Sequence, residues 1–373
     1  MDQYEIEPET SLDSNTTATE DELYEEQFLS TLSLVFALLM IFMCLAGALM
    51  NTVSLWIFTR KSFRKRSFNI LLCGLSVSDF CLCVLAMPVF TLSQLESFLK
   101  GFIPLNVTSR ILLYMYPLTL MAQTSSIWIL VAITIDRWLA VCHPFLVRIY
   151  CTQTRAALTL VIIFTFSIAY NFCRFWEYTL NGNEIAGLLR DNSLYMILYQ
   201  NISMLLSQFV LPLLVLCILN LQVARTILEA GETRRELVAS EKREHSTAKM
   251  MLFVVIVFIF CYSFSFCLNP ELFKQQIGLL LNDINNILVV INSSSSFIFY
   301  IKYSSRYRSQ LQKMPIIRLL ATRFCLIPPS SQFSAKSEYT NISNYSTKHT
   351  FISTNNSSVQ KHSDKLRIIT STS

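Results

Sequence analysis

Seven apolar segments, each close to the length needed to cross a lipid bilayer, constrain the fold of this chain more than any other feature. A helix needs about 20 residues to cross roughly 30 Å of hydrocarbon. The segments lie at about residues 31–58, 68–93, 111–141, 155–175, 204–228, 247–270 and 284–303. Only 15% of the residues are charged, whereas a soluble domain has about 25%. Because open strands cannot span lipid, the sequence predicts an all-α membrane protein, a seven-transmembrane helix bundle.

Basic residues are distributed unevenly among the loops, and this distribution predicts the orientation of the chain. Loops after the odd-numbered segments hold the basic clusters at 60–66, 148–155 and 225–249, whereas the other loops and their flanks hold five bases in all. Positively charged loops stay on the cytosolic side of a membrane. The sequence therefore predicts a multi-pass protein of the plasma membrane with its N-terminus outside and its C-terminus in the cytosol.

This topology divides the chain into four predicted regions. They are an acidic extracellular tail at 1–28, the seven-helix domain at 29–303, a short basic amphipathic helix on the inner leaflet at 304–314, and a disordered, Ser/Thr-rich cytosolic tail at 315–373. Asn15 and Asn106 begin glycosylation sequons on the predicted outer side, so both are expected to carry glycans.

An acid–base pair, Asp136 and Arg137, follows about two dozen nearly uncharged residues of the third segment. A hydrocarbon interior does not tolerate such a pair, which is therefore expected at the membrane edge. The run from Ser125 to Pro144 resembles the third span of rhodopsin-like G-protein-coupled receptors, where the Arg contacts the G protein. The alternative is an ordinary juxtamembrane Arg.

Asp79 is the one carboxylate deep inside a predicted span, where an ionisable group is costly and by default functional. The resemblance implies that Asp79 binds an allosteric sodium ion together with four polar residues, which are Ser126, Asn292, Ser293 and Ser296. No other cofactor is expected. The alternative is a protonated Asp79 that is hydrogen-bonded to Asn51 and Asn292 without an ion, because an isolated buried carboxyl group tends to become neutral.

The resemblance also implies which residues serve coupling and activation. They are Asp136, Arg137, Pro212, Glu244, Phe258, Tyr262 and Tyr300. Pro212 removes one helix hydrogen bond and permits a bend in the fifth span. Glu244 falls where relatives place an acid that pairs with Arg137, and the alternative is one solvated charge in a charged run. Phe258 and Tyr262 belong to a degenerate aromatic switch, and Tyr300 alone survives from the motif that ends the seventh span.

A run at the outer end of the fourth span narrows the resemblance. Residues 167–178 resemble the Tyr-Asn-x-Pro-Arg-Phe-Phe-Glu-Tyr run of invertebrate FMRFamide-type peptide receptors. This resemblance implies an extracellular, amidated RF-type neuropeptide as ligand, and a heterotrimeric G protein and arrestin as partners. The residues expected at the ligand site are Gln123, Arg174, Trp176, Glu177 and Tyr262. Glu177 is expected to pair with an Arg of the ligand, and the alternative is an internal pair with Arg174, three residues back on a helix.

Departures from the family pattern leave other classes open. Leu112 stands where the family has a disulfide cysteine, and residues 178–203 contain no Cys. Because the sixth- and seventh-span motifs are eroded, a divergent chemosensory or non-signalling heptahelical protein is the main alternative. A transporter is disfavoured, since charged residues or broken helices at mid-membrane are typical of that class and only Asp79 qualifies. No nucleophile–base, metal-ligand or phosphate-loop motif is present, so neither an enzyme nor a nucleic-acid partner is expected.

Overall fold

The structure is a computed structural model that describes residues 20–61, 63–99, 105–181, 184–233, 252–262 and 275–314. The α-helices of these ranges are α1 (Glu20–Phe58), α2 (Ser67–Leu99), α3 (Leu105–Cys142), α4 (Pro144–Tyr150), α5 (Gln153–Asn171), α6 (Ser193–Tyr195), α7 (Leu211–Thr233), α8 (Leu252–Tyr262), α9 (Gln275–Tyr303) and α10 (Ser305–Leu311). A 3₁₀ helix continues α5 over Phe172–Trp176. Two antiparallel strands, β1 (Tyr178–Asn181) and β2 (Glu184–Gly187), form a hairpin that pairs Tyr178 with Gly187.

Within the described ranges, six helical stretches are long and apolar enough to cross a membrane. They are Gln27–Phe58, Ser67–Leu92, Val107–Cys142, Gln153–Trp176, Ser193–Glu229 and Leu280–Tyr303. These stretches match the first five predicted segments and the seventh. The sixth predicted segment, 247–270, is described only over the apolar helix α8. The helices confirm the all-α membrane fold, and the hairpin between α5 and α6 is an addition that the sequence did not predict.

The helix boundaries differ from the predicted regions at the start of the bundle. Helix α1 begins at Glu20, within the stretch that the sequence assigns to the tail. Acidic side chains favour a helix N-terminus because they interact with its dipole, and residues 20–22 are all acidic. Helix α10 falls inside the predicted inner helix at 304–314. Glu244, Asn15 and the predicted tail at 315–373 lie outside the described residues.

Helix α1 has two faces with different surroundings. Its exposed large apolar residues recur three or four positions apart and are Leu38, Phe42, Leu45 and Leu49. Residues at this spacing share one face of a helix, and in a membrane an apolar face is stable against lipid. The opposite face packs against α2 and α9 through a buried cluster, which consists of Met40, Cys44, Cys83, Ala86, Ile287 and Val290.

Gly47 marks the closest approach of the three helices around that cluster. A Cβ atom at this position would collide with the Ser294 hydroxyl and would lie 2.7 Å from the Cys83 sulfur. A larger residue at this position would force the Ser294 and Cys83 side chains, or the helices that carry them, to shift. In the rest of the bundle, helix α3 is the element that contacts several neighbours, since it packs against α2, α5 and α7.

The fifth span is wound unevenly along its length. π-Helical turns run through Met196–Ser203 and Leu205–Val210, and regular α-helix resumes at Leu211. Such turns are rare and usually short, and they occur most often at functional sites. Pro212, which was predicted to permit a bend, is the second residue of α7 and therefore lies where the winding changes.

Candidate functional site

Asp136 and Arg137 form a buried ion pair near the end of α3. Two nitrogens of Arg137, Nη2 and Nε, lie 2.5 and 3.2 Å from Oδ2 of Asp136. The other carboxylate oxygen accepts a hydrogen bond from the hydroxyl of Ser67 on α2 at 2.6 Å. The guanidinium also lies 4.1 Å from the centre of the Phe68 ring. The pair is therefore held between α2 and α3, as a buried charge requires hydrogen-bonding partners.

Cys151, which precedes α5, lies beside this pair and was not anticipated from the sequence. Burial, together with the nearby Asp136 carboxylate, raises the pKa of the Cys151 thiol to about 12. The neutral thiol is a donor, so it can hydrogen-bond the carboxylate without adding charge to the cluster. Trp138 on α3 is a second unanticipated residue, and its indole nitrogen donates to Gln222 of α7 at 2.6 Å.

Tyr300, expected from the seventh-span motif, belongs to an aromatic cluster at the junction of α1, α9 and α10. Its ring centre lies 5.3 Å from that of Phe58 and 5.5 Å from that of Tyr307. Tyr307 of α10 is 1% exposed, and its hydroxyl lies 2.8 Å from that of Ser54 on α1. This contact ties the inner helix to the bundle, whereas the sequence predicted only an amphipathic helix over 304–314 and no partner for Tyr307.

Asp79 lies at the centre of the bundle and is 1% exposed. The hydroxyl of Ser126 on α3 donates to its carboxylate at 2.5 Å, and the hydroxyl of Ser293 on α9 also hydrogen-bonds it. Asn51 does not join the carboxylate as the alternative interpretation expected. Its amide instead donates to the backbone oxygens of Gly47 and Ser293 at 3.0 and 3.2 Å. The cluster therefore joins α2, α3 and α9 through one carboxylate.

The donor set around Asp79 fits a hard cation such as sodium. Hard cations bind oxygen ligands, and the cluster offers a carboxylate and two hydroxyls. Asn292, which precedes Ser293 in α9, has a buried side-chain oxygen without a hydrogen-bond partner among the described residues. Ser296 is also buried, and its hydroxyl hydrogen-bonds Tyr300. Of the five residues expected at the ion site, the structure thus brings Ser126 and Ser293 onto Asp79.

The residues expected at the ligand site occupy two separate places. Gln123 of α3 and Tyr262 of α8 are hydrogen-bonded to each other in the middle of the bundle. The Tyr262 ring stacks on that of Phe258, with ring centres 4.5 Å apart. Trp176 is 49% exposed and packs edge-on against Phe172. The aromatic switch residues are therefore linked to α3, whereas Trp176 lies at the surface.

Arg174 and Glu177 form a second buried ion pair, next to the hairpin. Nη1 of Arg174 lies 2.9 Å from Oε2 of Glu177, and both side chains are 0% exposed. The same nitrogen donates to Gln200 of the fifth span at 3.1 Å. The structure thus has the internal pair, which was one of the two interpretations that the sequence left open. Gln200 was not predicted as a partner, because the fifth predicted segment begins at about residue 204, whereas the observed span begins at Ser193 and includes this polar side chain.

A polar junction between three spans was also missed. The hydroxyl of Thr124 on α3 accepts hydrogen bonds from Asn171 of α5 and from Gln208 of the fifth span, each at 2.9 Å. All three side chains are buried. Such hydrogen bonds between helices hold a bundle together inside lipid, where no hydrophobic force acts between helices.

Comparisons with known proteins agree with this architecture. FMRFamide peptide receptor frpr-18 of Caenorhabditis elegans is 34% identical over 284 residues, which are 72% of this chain and 66% of that receptor. The FMRFamide receptor of Drosophila melanogaster is 33% identical over 276 residues, which are 70% of this chain and 50% of that receptor. The thyrotropin-releasing hormone receptor of Gallus gallus is 31% identical over 150 residues, which are 40% of this chain and 36% of that receptor.

The chain thus spans between half and two thirds of the length of the two FMRFamide receptors that it matches. Residues 50–296, from the middle of α1 to the inner part of α9, match the family described as "7 transmembrane receptor (rhodopsin family)". That match covers most of the helical bundle, including the Asp79 cluster and both buried ion pairs. The chain is a multi-pass membrane protein that belongs to the rhodopsin family of seven-transmembrane receptors.

Proposed function

We propose that the chain is a plasma-membrane receptor that binds an extracellular, amidated RF-type neuropeptide and activates a heterotrimeric G protein. Its similarity to two FMRFamide receptors over about 70% of its length carries the proposal. The buried Asp136–Arg137 pair supports the coupling role, because it lies at the end of α3 that the basic loops mark as cytosolic. The distribution of basic loops also assigns the hairpin to the outer side. It assigns the sequons at Asn15 and Asn106 to the same side, where they are open to glycosylation.

Arg137 is the residue that would contact the G protein. A guanidinium presents five donors in a planar arrangement, so it can bind several backbone carbonyls of an inserted helix. In the structure two of its nitrogens, Nη2 and Nε, donate to Asp136, which is in turn held by Ser67. Release from that carboxylate would make the donors available. Glu244, Pro212 and the aromatic switch residues remain proposed participants in this release.

We further propose two regulatory partners. A sodium ion, when bound by the Asp79 cluster, supplies positive charge between α2, α3 and α9. The Asp79 carboxylate and the Ser126 and Ser293 hydroxyls are hydrogen-bonded to each other, and their oxygen atoms are the kind of ligand that a sodium ion binds. Arrestin is the second partner, because phosphorylation of a tail rich in Ser and Thr adds the negative charge that basic partner surfaces recognise.

The experiment that tests the function is a peptide panel on cells that express the chain. Amidated peptides that end in Arg-Phe, beginning with Phe-Met-Arg-Phe-amide, are applied while G-protein activation and arrestin recruitment are recorded. We expect responses in these cells and none in untransfected cells. Arg137→Ala should reach the surface but lose at least about tenfold in G-protein activation, because several charge-assisted hydrogen bonds are removed.

Two results would contradict the proposal. A lack of response to every amidated peptide would favour a chemosensory or non-signalling heptahelical protein. Full G-protein activation by Arg137→Ala, at equal surface expression, would show that this residue is not the coupling contact.

A further inference from the structure

The Arg174–Glu177 pair is enclosed on every side by neighbouring elements. Arg174 lies in the 3₁₀ helix that continues α5, Glu177 directly follows that helix, and Gln200 of the fifth span contacts Arg174. The segment after β2 runs along the backbone of Glu177, because the backbone N–H of Leu188 donates to the carbonyl of Glu177 at 3.0 Å and so continues the hairpin. The structure therefore buries two full charges beneath the hairpin.

Three charged atoms of this pair have no hydrogen-bond partner among the described residues. They are Nε and Nη2 of Arg174 and Oε1 of Glu177. Leaving such atoms unsatisfied is costly, since a buried polar group normally keeps at least one partner. The ion pair thus keeps two unsatisfied donors and one unsatisfied acceptor, and a third group that can both accept and donate would satisfy them.

Charge decides which kind of group fits. The pair is neutral as a whole, so a further buried charge would be uncompensated. An ammonium group would face Arg174, and a carboxylate would face Glu177. A primary carboxamide is neutral, its oxygen can accept from Nη2 of Arg174, and its NH₂ group can donate to Oε1 of Glu177.

Aromatic rings stand beside the guanidinium of Arg174. The ring of Tyr199 from the fifth span is 5.2 Å from its central carbon, and the ring of Tyr116 from α3 is 6.0 Å away. These rings offer an apolar wall to whatever is attached to the carboxamide. An aromatic residue that precedes a terminal amide would pack against such a wall.

We propose that the Arg174–Glu177 pair binds the C-terminal carboxamide of the ligand and thereby selects amidated peptides over their free acids. The inference rests on the proposed function, because it requires a peptide ligand. A peptide can reach the buried pair only if the segment after β2 moves. No Cys lies between residues 178 and 203 to hold that segment by a disulfide. The pair would then act as a specificity-determining site rather than only as a support for the hairpin.

The test compares Phe-Met-Arg-Phe-amide with its free-acid counterpart on the intact receptor. The amide should be more potent, and Glu177→Gln should reduce the amide-to-acid potency ratio by about tenfold or more, since the variant removes the like charge that opposes the acid. Asp191→Asn is the matched control. It removes an exposed carboxylate from the same loop between the fourth and fifth spans and should leave the amide-to-acid ratio within about twofold. Surface staining normalises expression.

A second variant guards against misfolding. Glu177→Gln leaves Arg174 as a lone buried charge, whereas the double variant Arg174→Gln with Glu177→Gln leaves none, and it should also lose the preference for the amide. A citrulline analogue of the peptide tests the rival role, in which Glu177 pairs with the Arg of the ligand. If Glu177→Gln weakens the Arg peptide far more than the citrulline peptide, Glu177 binds the ligand's Arg and the carboxamide site is overturned.

The two proposals fail in different ways. If no amidated peptide of the panel activates the unmodified receptor, the proposed function and this site are both overturned. If the amide activates it but both Glu177→Gln and the double variant keep the amide-to-acid ratio of the unmodified receptor, the site alone is overturned. Buried water would then be the partner of the three unsatisfied atoms.

Discussion

Single polar residues inside this bundle are stabilised by partners that lie far away in the sequence. Asp79 receives its hydrogen bond from a residue 47 positions away, Asp136 from one 69 positions away, and Arg174 donates to one 26 positions away. A charge in an apolar run can be recognised from the sequence, because lipid makes it costly. Its partners depend on which helices touch, so Gln200 and Ser67 were not assigned their roles in advance.

At the same scale, Cys151 gives a prediction about pH. Burial and the Asp136 carboxylate raise the pKa of its thiol to about 12, so the neutral form dominates at pH 7. Only the thiolate reacts with alkylating agents. Alkylation of Cys151 should therefore be slow at pH 7 and should rise about tenfold per pH unit between pH 7 and 9, without reaching a plateau. Mass spectrometry of the modified peptide measures the rate, and a plateau near pH 8 or 9 would contradict the raised pKa.

At the scale of single elements, hydropathy predicts where a helix runs but not how it is wound. The fifth predicted segment lies within the helical stretch Ser193–Glu229, which is long and apolar enough to cross a membrane, yet the π-helical turns at Met196–Ser203 and Leu205–Val210 were not foreseen. Apolar side chains suit lipid in either type of winding, so composition does not distinguish the two. The hairpin was missed for a related reason, since the partners of a short strand are decided by the elements around it.

Helix α1 gives the prediction at this scale. Gly47→Ala adds a Cβ that would collide with the side chains of Ser294 of α9 and Cys83 of α2, so these side chains or their helices must shift. Overpacking of this kind destabilises a protein by about 1–3 kcal/mol. We expect a lower thermal midpoint and lower surface expression in detergent-stability and cell-staining assays. Leu49→Ala on the exposed face of α1 is the control, and equal behaviour of both variants would show that the contact is not tight.

At the scale of the whole molecule, the number and order of the spans were predictable because lipid imposes a fixed length on every crossing. The arrangement of those spans was predictable only through the family resemblance. Direct contacts such as Trp138 with Gln222 and Ser54 with Tyr307 bring together spans that no local pattern relates. Orientation rests on the distribution of basic loops, which is a property of the entire chain.

The Asp79 cluster links three helices, so the last prediction concerns the receptor as a whole. If Asp79, Ser126 and Ser293 hold sodium in the resting arrangement of α2, α3 and α9, then agonist and ion favour opposite states. Linkage makes the effect reciprocal, so replacing an organic cation by sodium at equal ionic strength should weaken binding of the most potent amidated peptide by about 5-fold or more. Asp79→Asn keeps the size of the side chain but removes its charge, and it should abolish this dependence. Radioligand competition measures the affinity in both salts. Equal agonist affinity in the two salts for the unmodified receptor would mean that the cluster holds no regulatory ion and that its buried carboxylate serves only to join the helices.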